Sequence, residues 1–266
     1  MEKKLLNIKD IKISLVLTLL SAIGGGLVVL GQIDSIPTEV SAQITKTQLI
    51  IVSSVQVIIM AFVLSFLGLK LARATNLNKG LLGYIYSEKE DRKGSYKINS
   101  KNLLISILAA FVYAGITVLS EKFIWIPNIP ELGGGAHSFD LMYLLSGMMY
   151  GGIFEEIMLR LFVMSLVVFI LYKLFAGKKD KYSIPSSIYW IAIIIAGLLF
   201  GLGHLPATLA MFGTINSIII LRMMILNGIA AIIFGWLYWK KGIEYAMIAH
   251  MFSHVFMQLI WLPILF

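Results

Sequence analysis

The 266-residue chain contains no cysteine. That excludes a disulfide framework, a thiol nucleophile and any cysteine-ligated metal site. Charge is also scarce. Charged residues make up 14% of the chain and hydrophobic residues 59%, whereas a soluble domain carries about 25% charged residues. The composition therefore excludes an ordinary soluble domain and indicates a multi-pass membrane protein. The net charge of +8, from 22 basic and 14 acidic residues, does not point to nucleic acid. The basic residues fall between apolar runs, where they set topology and meet anionic lipid headgroups. Histidine occurs four times, at His137, His204, His250 and His254. Long polar stretches are limited to one, residues 73–101, and no repeat at a solenoid period is present.

What remains is a series of apolar runs. Residues 11–31, 48–72, 102–120, 186–204, 214–239 and 242–262 each suit one crossing, which needs about 20 residues. Residues 139–175 are too long for one crossing and too short for two with a turn. This run reads as one crossing preceded by a broken or re-entrant piece, with Gly147, Gly151 and Gly152 at the break. The expected fold is all-α, a polytopic transmembrane bundle of seven to eight helices. It divides into N-terminal helices with a polar loop (1–138) and a core (139–266).

The first run follows Lys3, Lys4, Lys9 and Lys12, as a signal peptide would, but it exceeds an h-region of about 7–15 residues. It reads as a first span with a cytoplasmic N-terminus, in the cell membrane. Its Gly24, Gly25 and Gly26 read as a packing surface or a flexible point. The basic loop 73–101 and the lysines at 173, 178, 179 and 181 fall inside by the positive-inside rule. The segment 121–138, with Trp125 at the interface, Gly133 to Gly135 and His137, then lies outside, as a loop or a lid.

Polar residues inside the spans carry the chemical information, because ionisable groups in lipid are costly and must be paired or face water. Glu155, Glu156 and Arg160 stand in an otherwise apolar run. Glu156 and Arg160 are four apart, so they share a helix face and can pair. Glu155 is turned away from that pair and can face a cavity as a general base. The plain alternative is a structural ion pair with a spare carboxylate. His204 ends the fifth run, with Phe200 one turn earlier on the same face. His250 and His254 share one face of the last run, a spacing suited to zinc, to a shared substrate oxygen, or to ordinary packing. Glu155, His204, His250 and His254 also agree in depth across their spans. Arg222 reads as a partner for Glu155 or Glu156, or as extending to the interface, and Asn227 lies in the same span. Met211, Met223 and Met224 read as packing, and Glu244 as an interfacial pair with Lys240 and Lys241.

Three motifs carry a resemblance. Glu155-Glu156-Ile-Met-Leu-Arg160 fits E-E-x-x-x-R, Phe200-Gly-Leu-Gly-His204 fits F-x-x-x-H, and His250-Met-Phe-Ser-His254 is similar to H-x-x-x-N/D. In this order the chain, over about residues 140–262, resembles the CAAX protease and bacteriocin-processing family, also called the Abi family of intramembrane proteases. The resemblance implies a glutamate-dependent endopeptidase without cofactor, acting on a peptide or a lipidated, prenylated-type protein beside membrane lipid. It implies that Glu155 and His204 activate a water, that His250 and His254 stabilise the oxyanion, and that Glu156, Arg160 and Phe200 support them. His254 departs from the family's Asn or Asp. Relatives that trim prenylated proteins work from the cytoplasmic side, whereas the charge pattern puts these residues in the outer half. Three other readings stay open: a zinc-dependent variant using His204, His250 and His254 with Glu155, a non-catalytic immunity or regulatory protein that binds peptides or membrane partners, and a small transporter with an acidic relay, suggested by the buried charges.

Overall fold

Side-chain caps mark where most of the long helices begin. The computed structural model describes residues 7–32, 43–88, 90–92, 94–133, 139–177 and 180–266. Helix α1 (Ile8–Gly31) starts at Asn7, whose side chain accepts the Lys9 N–H. Helix α2 (Lys46–Ala74) starts in a capping box between Thr45 and Gln48. After the short α3 (Gly80–Tyr86), α4 (Ser100–Asn128) is capped by Asn99 and α5 (Leu141–Phe175) by Asp140. Each cap gives an orphan N–H of the first turn a partner, and such caps stabilise by about 0.5–2 kcal/mol. Helix α6 (Ser186–Gly203) follows Pro185. Helix α7 (Leu205–Phe212) has Pro206 in its first turn, where the missing N–H costs nothing. Helix α8 (Ser217–Lys240) is capped by Asn216, and α9 (Ile243–Leu265) closes the chain.

Among the described residues there are no strands, and seven segments are long and apolar enough to cross a membrane, with α6 and α7 forming one of them. The protein is thus an all-helical, multi-pass membrane bundle. Helix α5 is its axis: α1, α2, α6, α8 and α9 all pack on it. Leu161, Ile157 and Met164 of α5 meet Ala192 and Ile193 of α6, Phe234 of α8 and Ala249 of α9 in the main core.

Several local expectations change. The run 139–175 is not broken: α5 is continuous, and Gly147–Glu155 and Ile157–Met164 form wide i→i+5 turns within it. The glycines at 147, 151 and 152 serve close packing instead. A Cβ on Gly152 would stand 2.2 Å from Met251 Cγ on α9. Gly24 likewise lies against the α5 backbone, where a Cβ would come within 2.8 Å of the Tyr150 nitrogen, and Gly25 against Val57 of α2. The α1 glycines are a packing surface, as small residues are between membrane helices. The segment after residue 120 continues as helix to Asn128. Trp125 is buried with Ile129, Phe212 and Ile219 rather than placed at a lipid interface. Gly134, Gly135, His137, Lys178 and Lys179 lie outside the described residues.

At the basic end, the polar loop is pinned at its flanks, while Glu88, Glu90 and Asp91 of the charge run are exposed. Buried Asp10 of α1 accepts from Arg73 Nη2 at 2.8 Å and from the Tyr86 hydroxyl at 2.6 Å. Glu244 does not pair with Lys240 or Lys241. Its Oε1 accepts the Leu81 N–H and the Tyr96 hydroxyl, each at 2.7 Å. A carboxylate can hold a backbone N–H and a phenol at once, and here that ties α9 to the loop.

Candidate active site

The wide turns of α5 put Glu155 and Glu156 in different surroundings. Such turns concentrate at functional positions in helices. Glu156 is fully buried and faces Arg160, with Oε1 3.0 Å from Arg160 Nη1. The same Oε1 lies 2.8 Å from His250 Nδ1 on α9. Glu156 therefore joins two helices and orients the imidazole as well as holding the arginine, a link not visible from spacing along one helix. Arg160 is 2% exposed. Its guanidinium lies 5.5 Å from the Phe200 ring and 5.4 Å from the Phe234 ring, and its Nη2 donates to the Ala230 carbonyl at 3.3 Å. Aromatic faces and a carbonyl thus share the desolvation of this cation with Glu156.

Glu155 turns into a hollow of about 320 Å³, and His204, His250 and His254 line the same hollow. The four residues expected to share one depth do meet there, from α5, the α6–α7 junction and α9. His250 Nε2 is 4.0 Å from Glu155 Oε2, a gap that lets one small group touch both. His204 Nδ1 is 2.9 Å from the Phe200 carbonyl. A carbonyl only accepts, so Nδ1 carries the proton, and in the neutral ring Nε2 is a free base. Phe200 meets the His204 ring edge-on at 4.6 Å between centroids. The rings of Phe234, His250 and His254 stack in series, with centroids 4.8 Å and 5.3 Å apart.

Gly147 and Gly151 make room for these rings. A Cβ on Gly147 would stand 2.4 Å from His254 Nδ1, and one on Gly151 would stand 3.2 Å from Nε2 of both His250 and His254. The missing side chains of α5 let α9 bring its two histidines against Glu155.

Arg222 also lines the hollow but pairs with Glu121 of α4 (Nε to Oε2, 3.1 Å), not with Glu155 or Glu156. Met211 and Met223 line the hollow, while Met224 packs near Gly201 of α6. Sequence reasoning missed Tyr113, Tyr143, Tyr150 and Thr208, which line it too. A hydroxyl in an apolar span was their only signal. A second hollow of about 720 Å³ shares Tyr113, Tyr143, Arg222, His254 and Met257 with the first, and its other walls include Val118, Ile126, Leu132 and Leu262 beside the carboxylates of Glu121, Glu131 and Asp140. It lies toward the end of the bundle away from the basic loop and presents a mainly apolar approach to the polar hollow. Among the described residues, no three His, Asp or Glu side chains are placed to hold one metal ion.

Chemically, the hollow offers a carboxylate and imidazole bases around a space for a water and one polar substrate group, next to a vestibule with apolar walls and an acidic rim. Residues 137–256 match the model of the family described as Type II CAAX prenyl endopeptidase Rce1-like. No curated protein and no solved structure matches the chain.

Proposed function

Because the chain belongs, through residues 137–256, to the CAAX protease family of membrane proteins, we propose that it is an endopeptidase that cleaves a peptide or lipidated-protein segment inside the bundle by a water held between Glu155 and the histidines. The observation that carries this reading is the meeting of Glu155, His204, His250 and His254 around one hollow.

Glu155 and His204 Nε2 take hydrogen bonds from the water. Its oxygen attacks the peptide carbonyl carbon, and the proton it loses passes to Glu155. The carbonyl becomes a tetrahedral oxyanion. His254 donates to that oxygen, as does His250 when its ring carries both protons. In that form, with Glu155 neutralised by the proton it has taken, Glu156 and the oxyanion balance Arg160 and His250 in charge. Donors fixed in a water-poor hollow stabilise developing charge without reorganising. The C–N bond then breaks, and Glu155 returns its proton to the leaving amine. Glu156 keeps the His250 ring oriented, and Arg160 with Phe200 keeps Glu156 and His204 in place.

The chemistry as proposed uses no metal. The vestibule suits a segment with both apolar and polar groups, since Val118, Ile126 and Leu262 line it together with Glu121, Glu131 and Asp140. The chain lies in the cell membrane with its basic end, and the N-terminus, in the cytoplasm, by the positive-inside rule. The site then opens toward the outer half, which fits a peptide in export as well as a lipidated protein. The test is cleavage by purified protein: Glu155→Ala and His204→Ala each abolish it while still inserting and folding. A biological effect that survives both changes would instead indicate a protein that binds without cutting.

A further inference from the structure

A peptide drawn to membrane depth brings its own polar backbone. Each N–H and C=O that loses water there must find a partner, because an unpaired group in an apolar setting is costly. The residues so far described serve the one carbonyl under attack. The rest of an extended segment needs partners on another wall.

Asn227 of α8 lines the same hollow as Glu155. It stands in a helix whose neighbouring positions are Ile225, Leu226, Gly228 and Ile229, where Asn has poor propensity. Its Nδ2 is 2.8 Å from the Met223 carbonyl. That carbonyl can only accept, so the chemistry fixes which way the amide is turned: the nitrogen faces back along the helix and Oδ1 faces away from it. One amide N–H is used by this bond. The other N–H and Oδ1 remain in hydrogen-bonding capacity. One turn further on, the Ala230 carbonyl holds Arg160 Nη2 at 3.3 Å, so this part of α8 is joined to the helix that carries Glu155.

We propose that Asn227 is a substrate-binding residue that pairs with the peptide backbone next to the cleaved bond: Oδ1 accepts a peptide N–H and the free Nδ2–H donates to a peptide C=O. The inference rests on the endopeptidase reading. An amide that offers one acceptor and one donor side by side matches a peptide unit of any sequence. It therefore fixes the register of the chain over Glu155 without selecting side chains.

The test uses full-length protein in detergent and a synthetic peptide pool in two forms, unmodified and N-methylated at one backbone amide at a time. The expected result for Asn227→Leu is a loss of about thirtyfold in kcat/KM, mainly through KM, the size of two hydrogen bonds. N-methylation at one position, which removes one of the two bonds, should cost the wild type about fivefold and should cost Asn227→Leu little more. Penalties that multiply independently at every position would overturn the proposal. Should the Leu variant not fold, Asn227→Ser, whose hydroxyl can still bond the Met223 carbonyl, must show the same non-independence. If wild type cleaves no peptide in the pool, the endopeptidase reading fails. Retention of the two pools by wild type and variant then decides on Asn227 separately, and equal retention of both pools by both proteins overturns it.

Discussion

His250 Nδ1 lies 2.8 Å from Glu156 Oε1, and that contact binds the last helix of the bundle to its axis. The carboxylate is shared with Arg160, so one buried anion both neutralises a cation and sets the direction of an imidazole that faces Glu155. The ring is thereby prevented from turning its other nitrogen away from the hollow.

Breaking this link should harm fold and activity together. Glu156→Ala strands Arg160 in a site with little water, and Arg160→Ala strands Glu156. Removing one member of a buried pair costs about 3–5 kcal/mol. Both variants should give lower folded yield and a lower melting temperature in detergent, along with lost cleavage. An unchanged melting temperature in Glu156→Ala would contradict the assigned role.

A single methyl group placed on α5 should disturb the site with less effect on the bundle. The Cβ of Gly147→Ala would stand 2.4 Å from His254 Nδ1, so the ring must move. Displacement of a reacting group by about 1 Å can cost about 10²-fold in rate. The expected outcome is folded, membrane-inserted protein with cleavage reduced by about that factor. Full activity in this variant would mean that the position of His254 does not matter.

Most of the helix order was legible in the sequence, because lipid demands long apolar runs and each run had polar ends. Residues Glu155, Glu156, Arg160, His204, His250 and His254 were legible for a related reason: ionisable groups in such runs stand out. Partners across helices were not. Arg222 meets Glu121, and Glu244 meets Leu81 and Tyr96, through the tertiary arrangement alone. The glycines of α5 read as a break because composition cannot tell a kink from a surface where two helix backbones come close. Trp125 read as an interface residue because its cover, Phe212 and Ile219, lies far along the chain.

The pinned loop at the basic end predicts a pH dependence. Burial, followed by the hydrogen bond to Asp10, pushes the Tyr86 phenol up from its ordinary value of 10.0. A group whose folded pKa is raised stabilises fully below its unfolded value and loses that contribution as pH rises through the folded value. Thermal stability should therefore fall as pH rises beyond 10. Tyr86→Phe should be less stable than wild type at neutral pH and should show a shallower alkaline decline. Identical alkaline profiles for the two proteins would show that the phenol is not the group responsible.

Metal dependence separates the proposed chemistry from a zinc site on the same histidines. Cleavage should persist after chelation, and zinc added back should not raise it. Activity that is lost on chelation and restored by zinc would assign His204, His250 and His254 to a metal instead.

The most direct measurement is mass spectrometry of products after candidate peptides are incubated with wild-type protein and with Glu155→Gln. The account predicts two fragments with one added water shared between their new ends for the wild type, and only intact peptide for a Glu155→Gln protein that melts normally. Equal fragments from both proteins would contradict it.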